Sequence, residues 1–459
     1  MNKLAPVLLP FAVACQETTV LIASDHDGGS FRDGGLDAGI PPCWGEERFV
    51  GSEAPTRGFG RVVTSNDEHF FVSSYIVANE DHPLDLWEVS RIARTETGWV
   101  VDRTQTSRDP MIPGHLIEAM SVADDGLWLG VPDGDGVGRV WHTSLDLDIL
   151  GEPLNAADNG LSFGTNLVRD GPWLLVAEPS RSRSGAVDVF TVQGGLPTYV
   201  DTLMPDDPIV GEAFGSAIAL RGDRLLIGAP TTCGRVETCP ERGRVLEYVA
   251  SGGTFSFLRE HGSESTRTRS FGSSITWIDD ERAWISAAYS YHCVDECFDP
   301  GNRTPALPGT GDCDADQTPC RYVGSGFVLR GTTLEEHSPA ELATAGFANL
   351  QWGGAAAAGQ RWIAIGAHTD PSCSYANPLS NSCNTAGSVH VYFDTGADLV
   401  EHRYLRPSDL YPRMRFGEAL AMSGRTLAIG ASLHCGTGPA SCTETGNGAV
   451  YVYSGCAAP

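Results

Sequence analysis

Lysine is almost missing from this chain. Lys3 is the only one in 459 residues, and 31 basic residues face 58 Asp and Glu for a formal charge of -27. Phosphate contact needs a basic face, so this balance argues against a general nucleic-acid binder. No sustained helical periodicity appears, which argues against a helical bundle. Beyond the first fifteen residues no apolar run approaches the ~20 residues that a membrane-spanning helix requires. Catalytic signatures are also missing: there is no HExxH, no Gly-x-Ser-x-Gly and no phosphate-binding glycine loop. What remains is 54 glycines and 28 prolines, rich in turns, with 41% apolar residues. That composition supports a sizeable core, and the length fits two or three domains or one large closed architecture.

The chain opens MNKLAPVLLPFAVAC. Lys3 supplies a positive start, Leu4 to Val13 an apolar stretch, and Ala14 a small residue before a cleavage point. Residues 1–14 therefore read as a signal peptide. Ala12-Val13-Ala14-Cys15 resembles the lipobox of bacterial lipoproteins, with Ala12 where that family usually has Leu. The resemblance implies lipidation of Cys15. With Gln16 in place of a sorting aspartate, it further implies an exported protein held at the outer membrane of a Gram-negative envelope. The alternative is an ordinary secretory signal. Residues 15–42 are dominated by Gly, Asp and Ser and read as a flexible tether.

From residue 43 to 459 one pattern recurs seven times. Its clearest copies are FGSAIALRGDRLLIGAP from Phe214 and FGEALAMSGRTLAIGAS from Phe416, leading into GRVLEYV at Gly243 and GAVYVYS at Gly448. Others begin at Phe163, Phe271 and Trp352, followed by Gly-led runs at Gly185, Gly326 and Gly387. Weaker copies begin at Phe59 and near Ile117, the last without the aromatic-Gly pair. Each copy holds two alternating runs joined by a tight turn, then a third run and a fourth. Period-2 alternation with polar turns means strands and hairpins. Seven such units predict an all-β fold, a seven-bladed β-propeller of four-stranded antiparallel blades. The Phe-Gly and Gly-Ala-Pro pairs resemble FG-GAP repeats, found in integrin α-subunit propellers and in bacterial surface lipoproteins. Calcium-binding members carry an Asp-x-Asp-x-Asp-Gly loop between the first two strands. The loops here, such as SNDEH, RGDR and SGR, have too few spaced oxygens, so calcium is not carried over.

The seventh copy stops after its third strand. The segment from Cys43 has the layout of a fourth strand leading into Phe-Gly, so Glu46 to Val50 is expected to complete blade seven and close the ring. Setting Cys15 aside leaves twelve cysteines, an even number suited to disulfides in an exported chain. Cys233 with Cys239, Cys373 with Cys383, and Cys435 with Cys442 share the loop after the second strand of blades four, six and seven. Blade five carries Cys293, Cys297, Cys313 and Cys320 there, with three connectivities open and a zinc site as the competing reading. Cys43 and Cys456 flank the closing strand and its partner, and a bond between them would lock the ring.

Strand direction puts the second-to-third loops and the fourth-to-first links on one face, called upper here, and the first-to-second hairpins on the lower face. All the cysteine-bearing loops are upper, the longest running from Tyr289 to Gly326. Long loops on a rigid scaffold usually carry recognition. Asp312, Asp314 and Asp316 in that loop are a candidate calcium site, although Val323 stands where an EF-hand needs Glu. Otherwise no cofactor is expected. Arg221-Gly222-Asp223 spells an adhesion triplet but falls in a hairpin turn, as does Asp124-Asp125-Gly126. His368 and His434 follow the second strands of blades six and seven at comparable places. The resulting expectation is a lipid-anchored envelope module offering its upper face to a protein or glycan. A glycan hydrolase or lyase using central carboxylates, and a structural envelope component, are the alternatives.

Overall fold

The structure is a computed structural model. It describes residues 45–50, 56–77, 86–107, 116–132, 137–156, 160, 162–230, 242–265, 268–292, 321–338, 350–371, 385–410, 412–434 and 446–455. They form seven antiparallel four-stranded blades. The inner strands are Val63–Ser65, Ala119–Ala123, Asn166–Asp170, Ala217–Arg221, Phe271–Trp277, Ala355–Gly359 and Ala419–Ser423. Each touches the next, and the last returns to the first, so the ring is closed. Among the described residues there is no α-helix, only a 3-10 turn at Arg181–Arg183. Among the described residues no helix is long and apolar enough to cross a membrane.

Second strands such as Trp173–Glu178, Trp362–Ala367 and Thr426–Ala431 are covered on both faces by neighbouring blades. Their residues are buried throughout except Thr426, which explains the continuous runs WLLVA, WIAIGA and LAIGA. Outer strands such as Leu196–Leu203 show mostly exposed or half-buried residues instead. Between third and outer strands a register shift recurs at Arg91/Ile92, Val189/Phe190, Glu247/Tyr248 and Val391/Tyr392. Four blades thus bulge their outer strand at the same place, which raises the local twist.

The repeat motif is a lock between blades. The N–H of Phe214 donates to the Ser184 carbonyl of the preceding blade at 2.8 Å. The same bond links Phe271 to Arg242, Trp352 to Val323, Phe416 to Ala386 and Phe59 to Asn447. The glycine after the aromatic turns back, with φ near +90°, and donates to its own second strand, as Gly417 does to Gly430 at 3.0 Å. The glycine of the Gly-Ala pair admits the next blade: a Cβ on Gly430 would lie 1.9 Å from the Gly60 carbonyl oxygen. At Gly228, Gly366 and Gly430 the next blade's carbonyl leaves no room for a side chain, whereas Ala177 and Ser286 stand at the same ladder position in blades three and five. In blade two Ile117 takes the aromatic position at 2% exposure, and Glu118 makes the glycine's bond to Gly130. One assignment from the sequence is corrected. The locking glycine of blade five is Gly324, whose Cβ would sit 2.2 Å from the Trp352 carbonyl. Gly326 lies instead under the Trp284 ring, inside the third strand.

Gly45–Val50 pairs antiparallel with Ala449–Ser454 and is the outer strand of blade seven, as expected. Hence the first described strand completes the last blade.

Candidate recognition face

Hydrogen bonds and ion pairs join the lower hairpins of neighbouring blades. Arg169 of blade three holds Asp125 of blade two, with Nη2 2.7 Å from Oδ2. Asp170 accepts from the Gly222 N–H of blade four at 3.0 Å. Arg221 reaches Asp280 of blade five at 2.6 Å, and Arg282 of blade five reaches Asp394 of blade six at 2.9 Å. Ser65 of blade one donates to the Met422 carbonyl of blade seven at 3.1 Å. The adhesion-like triplet is therefore spent on inter-blade contacts: its arginine is paired and its glycine N–H is bonded. The Asp124-Asp125-Gly126 turn is used in the same way through Asp125 and Arg169, and Asp125 also accepts from the Trp128 indole of its own blade.

At the upper central opening, charged and titratable residues gather over blades six, seven, one and two. Arg61 and Glu118 pair across the blade one–two boundary at 3.4 Å. Glu418 accepts from Arg415 at 3.1 Å and from the Ser432 hydroxyl. His368 of blade six lies over Gly354, whose absent Cβ leaves room for the ring. Burial pushes the His368 imidazole below its ordinary value; the Glu418 carboxylate opposes this and Arg415 adds to it. Blades three to five present Thr165, Ser216 and Ser273 at the position of Glu418, and their hydroxyls donate to nearby carbonyls.

The two histidines singled out by sequence do not share a position. Asp370 and His434 each donate an N–H to the last residue of the second strand, Ala367 or Ala431, at 3.0 Å. Each also accepts from the locking glycine, Gly387 or Gly448. His434 therefore corresponds to Asp370, and His368 to Ser432. His434 is 1% exposed and bonds to Asp409, 2.9 Å away in the link from blade six. Asp409 also accepts from Tyr451 Oη at 2.6 Å and from Arg48. Burial pushes the Asp409 carboxyl up, but the His434 and Tyr451 hydrogen bonds and the His434 and Arg48 charges outweigh it. The net effect holds it well below the usual carboxylate range. Burial raises the Tyr451 phenol, and the Asp409 charge raises it further. Glu46 accepts from Tyr453 Oη at 2.8 Å and Ser408 Oγ at 2.7 Å. Apart from His434, the members of this cluster carry no mark in the sequence, because they lie far apart along the chain.

Among the described residues no group of three His, Cys, Asp or Glu side chains is placed to hold a metal ion. Both glutamates at the opening, Glu118 and Glu418, are already paired with arginine. Cys15, Cys43, Cys233, Cys239, Cys293, Cys297, Cys313, Cys320, Cys373, Cys383, Cys435, Cys442 and Cys456 lie outside the described residues, as do Asp312, Asp314 and Asp316.

Comparison with known families bears on the unit that joins blade six to blade seven. Residues 400–453 match the FG-GAP repeat. This stretch runs from the outer strand of blade six through the third strand of blade seven and includes the Phe416-Gly417 and Gly430-Ala431 pairs. Among solved structures, that of U3-55K is similar with a TM-score of 0.51 at 13% identity, over 89% of this chain and 98% of that one. The WD40 repeats of RRP9 align with a TM-score of 0.49 at 13% identity, over 89% and 100%. A chain of the mitotic checkpoint complex aligns with a TM-score of 0.49 at 11% identity, over 95% and 99%. The likeness to U3-55K concerns the propeller fold alone. No curated protein matches the sequence.

Proposed function

We propose that this protein is a binding module of the cell envelope, lipid-anchored through Cys15, which offers its upper propeller face to a protein or glycan. The asymmetry between the two faces carries this reading. Lower hairpins are short and tied blade to blade by Arg169–Asp125, Arg221–Asp280 and Arg282–Asp394. The long cysteine-bearing segments all leave from upper strand ends, around an opening bearing Arg61, Glu118, His368, Arg415 and Glu418. The FG-GAP match over residues 400–453 is consistent with an interaction module. Disulfides within those loops would lower the ordering cost of binding.

The test compares capture from envelope extract and binding to a glycan array by three soluble proteins starting at Ala23. They are the wild type, an upper-face variant carrying Arg415→Glu and Glu418→Arg, and a lower-face variant carrying Arg221→Ala. Ligand binding that is lost with the first variant and kept with the second supports the reading. Binding that follows the lower-face variant instead refutes it.

A further inference from the structure

Blade six carries polar atoms in its core that the fold itself does not require. In blade seven, Phe416, Ala449 and Tyr451 pack together beside the inter-blade lock. Their counterparts in blade six are Trp352, Ser388 and His390. Ser388 pairs with Ala367 as Ala449 does with Ala431, and His390 with Ile365 as Tyr451 does with Ile429. The aromatic contact is kept: ring centroids lie 5.3 Å apart for Phe416 and Tyr451 and 6.2 Å apart for Trp352 and His390. Trp352 and Ser388 are 0% exposed and His390 is 2% exposed. Trp352 Nε1, Ser388 Oγ and His390 Nε2 have no hydrogen-bond partner among the described residues. Blade seven closes the same space with a phenyl ring, a methyl group and a phenol that bonds outward to Asp409. Three unmet polar atoms at one seam therefore call for an explanation.

We propose that Trp352 Nε1, Ser388 Oγ and His390 Nε2 together hold one ordered water molecule inside the core of blade six. The donor and acceptor inventory selects the guest. His390 Nδ1 lies 2.8 Å from the Glu401 carboxylate, which can only accept, so in the neutral ring Nδ1 carries the proton and Nε2 is an acceptor. The Trp352 indole N–H is a donor only. The guest must accept from one and donate to the other, while the Ser388 hydroxyl serves either role. A metal ion cannot face the indole N–H, and a purely donating cation is excluded for the same reason. Water satisfies all three and reaches the usual number of about three bonds for a buried water. Its consequence is orientation: His390 also meets the Tyr404 ring edge-on at 4.9 Å, and Tyr404 donates to Asp370 near the upper face. The water, His390 and Tyr404 thus connect the seam core to the upper rim.

The test is a crystal structure of the protein with ordered solvent, together with solution NMR of the Trp352 indole proton. Expected are one density peak within hydrogen-bond distance of all three atoms and a dipolar cross-peak from the indole proton to water. Both disappear when the residues of blade seven are grafted as Trp352→Phe, Ser388→Ala and His390→Tyr. Ser388→Ala alone, a change that blade seven tolerates, weakens both and serves if the graft does not fold. A seam without density in the wild type, or any of the three atoms bonded directly to protein, overturns the proposal.

Discussion

His434 Nε2 donates to Asp409 Oδ2 at 2.9 Å, joining the loop above the second strand of blade seven to the link arriving from blade six. Arg48, on the strand that closes the ring, reaches the same carboxylate. One aspartate thereby holds the closing strand, the last blade and the preceding link together. Its depressed ionisation sets the sign of a pH effect. A carboxyl whose folded value lies below its unfolded value, about 3.9 for Asp, stabilises the fold above that unfolded value. The contribution fades as pH falls toward the folded value. Asp409→Asn is expected to cost about 1.5 to 3 kcal/mol at pH 7, the range for hydrogen bonds to a charged group. The gap between variant and wild type should narrow below about pH 4. Denaturant melts at pH 7 and pH 3 measure both, and a gap that is constant with pH refutes the assignment.

The inter-blade lock makes a second prediction. Gly430→Ala forces a methyl group against the Gly60 carbonyl at the boundary between blades seven and one. Backbone cannot yield as a flexible side chain would, so a loss of about 1 to 3 kcal/mol is expected. Gly45→Ala is the control, since nothing lies within 4 Å of its added Cβ. That variant should melt within experimental error of wild type. Equal melting temperatures for both variants would show that the glycine pair does not govern the seam.

Repetition explains what could be read in advance. Seven copies of one pattern expose the strand count, the turns and the incomplete seventh blade, and the closing strand Gly45–Val50 follows from that gap. Positions inside a copy are harder to fix where a local sequence imitates the motif. Gly326-Phe327-Val328 looks like Gly387-Ser388-Val389, yet backbone bonding selects Gly324 two residues earlier. His368 and His434 look equivalent for the same reason, until the bonds to Ala367 and Ala431 fix the register. The Asp409 and Arg282 networks were invisible, because residues such as Arg48 and Asp409 meet only when the ring has closed.

Anchoring is tested at the mature N-terminus. Intact mass and N-terminal peptide analysis of protein isolated from envelopes should show a chain beginning at Cys15 with a diacylglycerol adduct. Cys15→Ser should release the protein from the membrane fraction without lowering its melting temperature, because the first described strand begins thirty residues later, at Gly45. An unmodified Cys15 would leave the propeller intact and remove the anchor from the proposed function.

The last prediction is a bond between Cys43 and Cys456. In the ladder that closes blade seven, Gly45 stands opposite Ser454, Glu46 opposite Tyr453 and Glu47 opposite Val452. Both cysteines lie outside the described residues, but each is two residues beyond the Gly45–Ser454 pair. If the same antiparallel register continued, Cys43 would stand opposite Cys456. Directly opposed residues in such a ladder have Cα atoms roughly 4.5 to 5.5 Å apart. A disulfide requires about 4.4 to 6.8 Å. The closed loop would span nearly the whole propeller, and chain entropy then gives on the order of 4 to 5 kcal/mol. Without the bond, the closing strand relies on its ladder and on the clamps from Glu46 to Ser408 and from Arg48 to Asp409. Cys43→Ser is expected to lower the melting temperature and to open the N-terminal strand to protease, and reductant should reproduce both effects in the wild type. The loss should add to that of Asp409→Asn by less than the simple sum, since both act on one strand. Non-reducing peptide mapping decides the pairing, and either cysteine found free or joined elsewhere defeats it while leaving the blade register unchanged.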